Sequence, residues 1–176
     1  MFRLLVITPG STTTKLSVLE YEGEVWQKTI AHPPEELARY RRIAEQYALR
    51  RDTVLRALAE AGLASGDFAA VVGRGGMLRP IPSGTYRINQ RMLDDLRCPG
   101  EREHASNLGA LVAHEIASAA GIPAFVVDPV SVDEFEPLAR VAGLPGIERR
   151  SFSHALSLKA AARKAARTLG RAYEEI

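Results

Sequence analysis

Five places in the chain carry side chains that could do chemistry on an anion. The first is a turn. Pro9-Gly10 breaks an apolar run, and Ser11, Thr12, Thr13, Thr14 and Lys15 follow it. Hydroxyls, free backbone N–H groups and a lysine point charge are donors for phosphate oxygens. Gly10 lets the backbone come close to a bulky ligand. The same string also serves as an ordinary β-turn with solvated threonines. The second place is Arg74, in Gly73-Arg74-Gly75-Gly76. Small neighbours leave its guanidinium fork open to a carboxylate or phosphate, although a loop arginine can simply make a surface contact. His104 and His154 each stand at the start of an expected helix, where a histidine can act on a substrate or serve as a cap. Asp128 ends an apolar run; it could orient Mg²⁺ or a phosphate-binding group, or start a turn before Pro129.

Several familiar chemistries are excluded. No third glycine completes a dinucleotide fingerprint after Gly73, and no second glycine precedes Lys15 as a P-loop requires. His114-Glu115 does not continue to a zinc-protease motif, because position 118 is Ser. No Ser-His-Asp relay is supplied.

The elements that must position these residues alternate in period. Residues 4–7 form a continuous apolar run, expected to be a strand buried on both faces. Residues 15–21 and 25–30 are rich in strand formers, with a turn at Glu22-Gly23-Glu24, so the first three strands should make an antiparallel meander. From residue 35 to about 61 the spacing is helical, in two pieces: one stripe of Leu37, Tyr40, Ile43 and Ala44, another of Val54, Leu55, Leu58 and Ala61. Asp52 offers an N-cap to the second piece, Gly62 a stop, and Arg50 and Arg51 read as a solvated face. A strand over 69–72 leads to Arg74, and another over 85–88 precedes a small helix capped by Asn89. Cys98-Pro99-Gly100 breaks that helix. A helix over 105–120, an apolar strand over 122–127 and a final helix from His154 to the C-terminus complete the order. A loop or short helix over 135–141 and a turn at 143–146 lie between the last two. The expected fold class is α/β, a mixed sheet with helices on both faces. Three of the polar clusters then fall at strand ends, where open α/β sheets bind ligands.

Bulk properties narrow the function. The 176 residues suit one domain, and 46% hydrophobic with 25% charged residues is globular. A net charge of +2 gives no field to attract nucleic acid or acidic lipid. The basic residues of the last helix (Lys159, Arg163, Lys164, Arg167 and Arg171) have no aromatic stacking platform, which argues against nucleic acid. The single cysteine, Cys98, fits a reducing cytoplasm. No signal peptide and no membrane-length apolar stretch is visible.

Six ordered strings make the chain recognisable. They are Ile7-Thr-Pro-Gly-Ser-Thr-Thr-Thr-Lys15, Val71-Val-Gly-Arg-Gly-Gly-Met77, Ser83-Gly-Thr-Tyr-Arg87, Glu103-His-Ala-Ser-Asn-Leu-Gly109, Ile122-Pro-Ala-Phe-Val-Val-Asp-Pro129 and Phe152-Ser-His-Ala-Leu156. Together they resemble the acetate and butyrate kinase family, and its butyrate branch most closely. The resemblance implies a ribonuclease-H-like lobe of the actin, sugar kinase and Hsp70 fold. It implies transfer of the ATP γ-phosphoryl to a short-chain fatty acid with Mg²⁺, butyrate being favoured over isobutyrate or acetate. It assigns Ser11, Thr13 and Lys15 to phosphate, Arg74 to the carboxylate and the moving phosphoryl, and His104, Asp128 and His154 to the active site. Thr8 stands where the family usually has an Asn that helps place Mg²⁺, so Thr8 and Asp128 are the metal candidates. The resemblance also implies a homo-oligomer at full length and a second, nucleotide-binding lobe. That lobe is expected to be missing from residues 1–176, leaving this chain inactive alone. A non-catalytic half-protein, binding an anion or a separately encoded second lobe, is the alternative expectation.

Overall fold

The computed structural model describes residues 2–21, 23–98, 100 and 103–176. The expected turn position Glu22 and the expected break at Pro99 lie outside the described residues. Six strands form one sheet: β1 (Arg3–Pro9), β2 (Thr13–Glu20), β3 (Gly23–Ala31), β4 (Ala70–Arg74), β5 (Thr85–Arg87) and β6 (Ala124–Val127). Their order is β3-β2-β1-β4-β6-β5. β1, β2 and β3 pair antiparallel, as the meander requires, while β4 and β6 run parallel to β1. β5 returns antiparallel on the far edge. This is the mixed α/β sheet of a ribonuclease-H-like lobe.

Alternation and register explain the core. Leu5 and Ile7 on β1 pair with Val18 and Leu16 on β2 and with Val71 and Gly73 on β4. All of these lie on one face, and all are buried. Two long helices cover this face: α2 (Tyr47–Glu60) packs against β2, and α4 (Asn107–Ala119) against β1, β4 and β6. The opposite face, with Leu4, Val6, Val72 and Phe125, is only half-buried, so β1 is less enclosed than a strand buried on both faces. α4 sits almost backbone to backbone on β4. A Cβ on Gly73 would lie 2.5 Å from the carbonyl carbon of Gly109, so the strand needs glycine at this crossing.

The helical stretch after β3 departs from expectation. α1 (Pro34–Leu37) is a single turn, and a 3₁₀ turn at Ile43–Gln46 leads directly into α2. Asp52 therefore lies inside α2 and caps nothing. Arg50 is not on a solvated face: it is fully buried, on the same stripe as Val54, Ala57 and Leu58. Asn89 does cap α3 (Gln90–Arg97), accepting from the Met92 N–H at 3.0 Å. The last helix, α5 (Ala155–Leu169), stops before the C-terminus, because Gly170 takes a left-handed φ of +63°. No helix among the described residues is long and apolar enough to cross a membrane.

Candidate functional site

Parallel pairing brings the C-terminal ends of β1, β4 and β6 to one end of the sheet. Gly73 pairs with Ile7 and Arg74 with Val127, so Thr8, Arg74 and Asp128 emerge side by side. Thr8 in turn pairs with Lys15 across the β1–β2 hairpin. Adjacent strands stand about 4.8 Å apart, so Lys15 and Arg74 are separated by about two strand spacings.

Asp128 is the hub. It is 2% exposed and sits in a left-handed conformation at φ +55°. Its Oδ2 accepts from Arg74 Nη2 at 3.0 Å and from Ser157 Oγ at 2.5 Å. Its Oδ1 accepts from the backbone N–H of Leu156 at 3.0 Å and, more loosely, of Ser157 at 3.4 Å. The carboxylate thus caps α5, where free N–H groups favour an anion. His154 completes the group: its Nδ1 lies 3.0 Å from the Asp128 carbonyl and 3.2 Å from Oδ2. Arg74 is therefore not unshielded, as the glycines around it suggest; Asp128 and Ser157 both hold Nη2. Its side chain still keeps 32% exposure, leaving guanidinium surface for a ligand.

His104 belongs to the same neighbourhood. Its Nδ1 accepts from the Ser106 N–H at 3.2 Å and lies 2.8 Å from Ser106 Oγ. A backbone N–H can only donate, so a neutral His104 carries its proton on Nε2. Ser106 and His154 both pack around Gly75. A Cβ at that glycine, whose φ is +93°, would lie 2.8 Å from Ser106 Cβ and 4.0 Å from His154 Cε1. Asn107 Oδ1 accepts from the Met77 N–H at 2.8 Å and fixes the loop beyond. Arg74, Asp128, His154 and His104 are therefore gathered in one place.

The turn residues form a second group on the same end of the sheet. No hydrogen bond joins Ser11, Thr13 or Lys15 to Arg74 among the described residues. Lys15 faces Glu24 of β3 at 4.0 Å. Gly10 N–H donates to the Thr13 carbonyl at 2.7 Å and closes the turn. Behind it lie residues that sequence reasoning missed. Arg50 Nη1 donates to the Thr13 carbonyl at 2.8 Å and to Thr14 Oγ1 at 3.0 Å. Its Nη2 donates to the Ser11 carbonyl and to Gln46 Oε1, both at 3.0 Å. His32 Nε2 meets Thr14 Oγ1 at 2.9 Å. Burial, and then the Arg50 charge, lower the His32 pKa, with Glu36 opposing them. The available signal was periodicity: Gln46 and Arg50 precede Val54, Ala57 and Leu58 at helical spacing.

The two metal candidates do not fit Mg²⁺. Thr8 offers a neutral hydroxyl. Asp128 has about four acceptor positions, and Arg74, Ser157 Oγ and two backbone N–H groups already occupy them. Among the described residues no group of three or more His, Cys, Asp or Glu could hold a metal. A hard octahedral ion needs freer oxygens.

No protein-family model matches the chain. Solved structures do resemble it. Acetate kinase from Porphyromonas gingivalis aligns at a TM-score of 0.64 and 17% identity, over 98% of this chain and 50% of its own. A propionate kinase from Francisella tularensis aligns at 0.65 and 13%, over 97% and 50%. Acetate kinase from Entamoeba histolytica aligns at 0.58 and 14%, over 95% and 46%. The chain shares its fold with half of each of these proteins. At such identities the likeness fixes the fold of the lobe and nothing finer, and the chain spans about half the length of the structures it matches.

Proposed function

We propose that the chain is one lobe of a short-chain carboxylate kinase, with butyrate as acceptor. One observation carries this reading: Arg74, His154 and His104 converge on the strand ends of a lobe whose fold is that of half an acetate or propionate kinase. The physical demand of the reaction agrees. A carboxylate is already ionised at neutral pH, so no general base is needed. One carboxylate oxygen attacks the γ-phosphorus of ATP, the bond to the β–γ bridging oxygen breaks, and ADP leaves with the electron pair. Two anions must meet, so the site has to supply positive charge and donors at the equatorial oxygens.

On this reading Arg74 draws the acceptor carboxylate and the moving phosphoryl together. Asp128 and Ser157 hold the guanidinium in place, which lowers the cost of orienting it. His154, fixed through Nδ1, presents Nε2 to the cleft, and so does His104. Ser11, Thr13 and Lys15 face the ATP phosphates. Mg²⁺ finds no carboxylate cage in these residues, so it would have to be carried by ATP and by groups beyond them. ATP itself needs an opposing wall, which makes a second lobe the required partner and residues 1–176 inactive alone.

A second reading is a non-catalytic half-protein that binds an anion or a separately encoded lobe. Thr8 at the family's Asn position and the filled coordination of Asp128 favour it. The two readings separate by hydroxamate trapping of acyl phosphate from butyrate, isobutyrate and acetate, with the chain alone and with any lobe that co-purifies with it. Acyl phosphate formed only by the pair, fastest with butyrate, supports the kinase. A stable pair without acyl phosphate supports the second reading, and product from the chain alone refutes the need for a second lobe.

A further inference from the structure

Arg50 is the largest fully buried side chain among the described residues, and it is a cation. No carboxylate lies within ion-pair distance of it among the described residues, and its Nε has no hydrogen-bond partner. A buried unpaired charge is costly, so its position calls for a physical reason. Its four hydrogen bonds supply one, because two of them go to backbone carbonyls of the β1–β2 turn, Ser11 and Thr13. A third turn carbonyl, Thr12, accepts from the His32 N–H at 2.8 Å. In a trans peptide the next N–H points opposite to the carbonyl. Pulling the Ser11 carbonyl inward therefore turns the Thr12 N–H outward. Among the described residues, the N–H groups of Ser11 and Thr12 have no acceptor. The turn thus presents donors outward while its carbonyl dipoles are tied behind it.

We propose that Arg50 is a positioning residue for anion binding at this turn. Its fork holds the carbonyls back, and its charge, set in a poorly screened interior, adds to the attraction for a phosphate in front. This rests on the phosphate-facing role proposed above for Ser11 to Lys15, but not on catalysis. Lysine cannot replace the fork, because a single ammonium does not span two carbonyls, Thr14 Oγ1 and Gln46 in one plane.

The test is calorimetric titration of the 176-residue chain with inorganic pyrophosphate, at low and at physiological salt. The intact chain should bind saturably, and more weakly as salt rises. Arg50→Lys keeps the charge and should weaken binding by about tenfold, the loss of one charge-assisted hydrogen bond network. Arg56→Gln removes an exposed charge from the same helix and should leave affinity unchanged. A merely structural Arg50 would lower the melting temperature but leave the affinity of the folded fraction at its original value. If Arg50→Lys does not fold, Gln46→Leu loosens the same guanidinium without removing it, and should still weaken binding measurably. Unchanged affinity in the folded Arg50 or Gln46 variant overturns the proposal, as does no saturable binding by the intact chain. Absence of acyl phosphate from the chain paired with a second lobe would instead refute the kinase reading and leave these affinities as they are.

Discussion

Arg74 Nη2 and Asp128 Oδ2 lie 3.0 Å apart, and the same carboxylate caps the N-terminus of α5 through its other oxygen. One buried side chain thus sets both the pose of the guanidinium and the place where the last helix begins. The strand end of β6 and the helix that carries His154 and Ser157 are joined through it.

Asp128→Ala should therefore act in two ways. It removes the cap, worth about 1 kcal/mol, and places alanine at a φ of +55°, where an L residue without a short polar side chain is strained. A total loss of about 1–3 kcal/mol is expected. Asp128→Asn keeps an oxygen for the Leu156 N–H and tolerates the left-handed backbone, so it should lose less. Urea midpoints of the two variants decide this; equal midpoints would mean that neither cap nor backbone matters.

Arg74→Ala addresses the proposed chemistry. In the complete enzyme it should weaken carboxylate binding and turnover together, by about 2–4 kcal/mol at the transition state. The measurement is kcat/KM for butyrate. Near-normal kinetics would remove Arg74 from the reaction and leave it as the partner of Asp128 alone.

Gly73→Ala should be far worse than Gly109→Ala. The added methyl at 73 meets the backbone of Gly109 and Ala110 at 2.5–2.6 Å, and neither can move aside. At 109 the nearest neighbours are Pro9 Cδ at 3.1 Å and the Arg74 carbonyl at 3.3 Å, which ask for smaller shifts. The expected cost at 73 exceeds about 3 kcal/mol, the upper range of overpacking. Soluble yield and chemical denaturation compare the two; similar stabilities would show that α4 can lift off β4.

Much of this frame is legible in the residues themselves. The strand-forming runs of β1 and β2, the Pro9-Gly10 turn and the Asn89 cap are local signals, and each lies where expected. The strand-end placement of Thr8, Arg74 and Asp128 follows from parallel pairing of apolar runs. What local pattern could not show was how side chains meet across the chain. Ser157 looks like any helix-start serine until Asp128 is folded against it, 29 residues away. Arg50 was masked by its neighbour: Arg51 does reach outward, to Asp52 and Glu115, while the residue beside it turns to the core. The same misreading placed a cap at Asp52, inside a helix that begins five residues earlier.

The buried column behind the turn should also set the acid stability of the lobe. His32 is 3% exposed and lies against Thr14 Oγ1, with Arg50 donating to the same oxygen. Burial first, and the Arg50 charge second, lower its pKa below the ordinary value of 6.5, against a smaller opposing pull from Glu36. The unfolded chain therefore binds a proton at His32 more readily than the folded one. Between the folded pKa and 6.5 the unfolded state holds more protons, so stability rises with pH in that window. It is fully present above the unfolded value and is lost as pH falls through 6.5 toward the folded pKa. The urea midpoint should thus be flat from about pH 8 to about pH 7 and fall below that. His32→Gln keeps a neutral hydrogen-bonding group beside Thr14 and should remove the fall that begins as pH drops below about 6.5. An identical acid slope in both proteins would assign the effect to other groups. A slope lost in the variant would assign the fall to His32, whose protonation places a charge in a buried site first and beside Arg50 second.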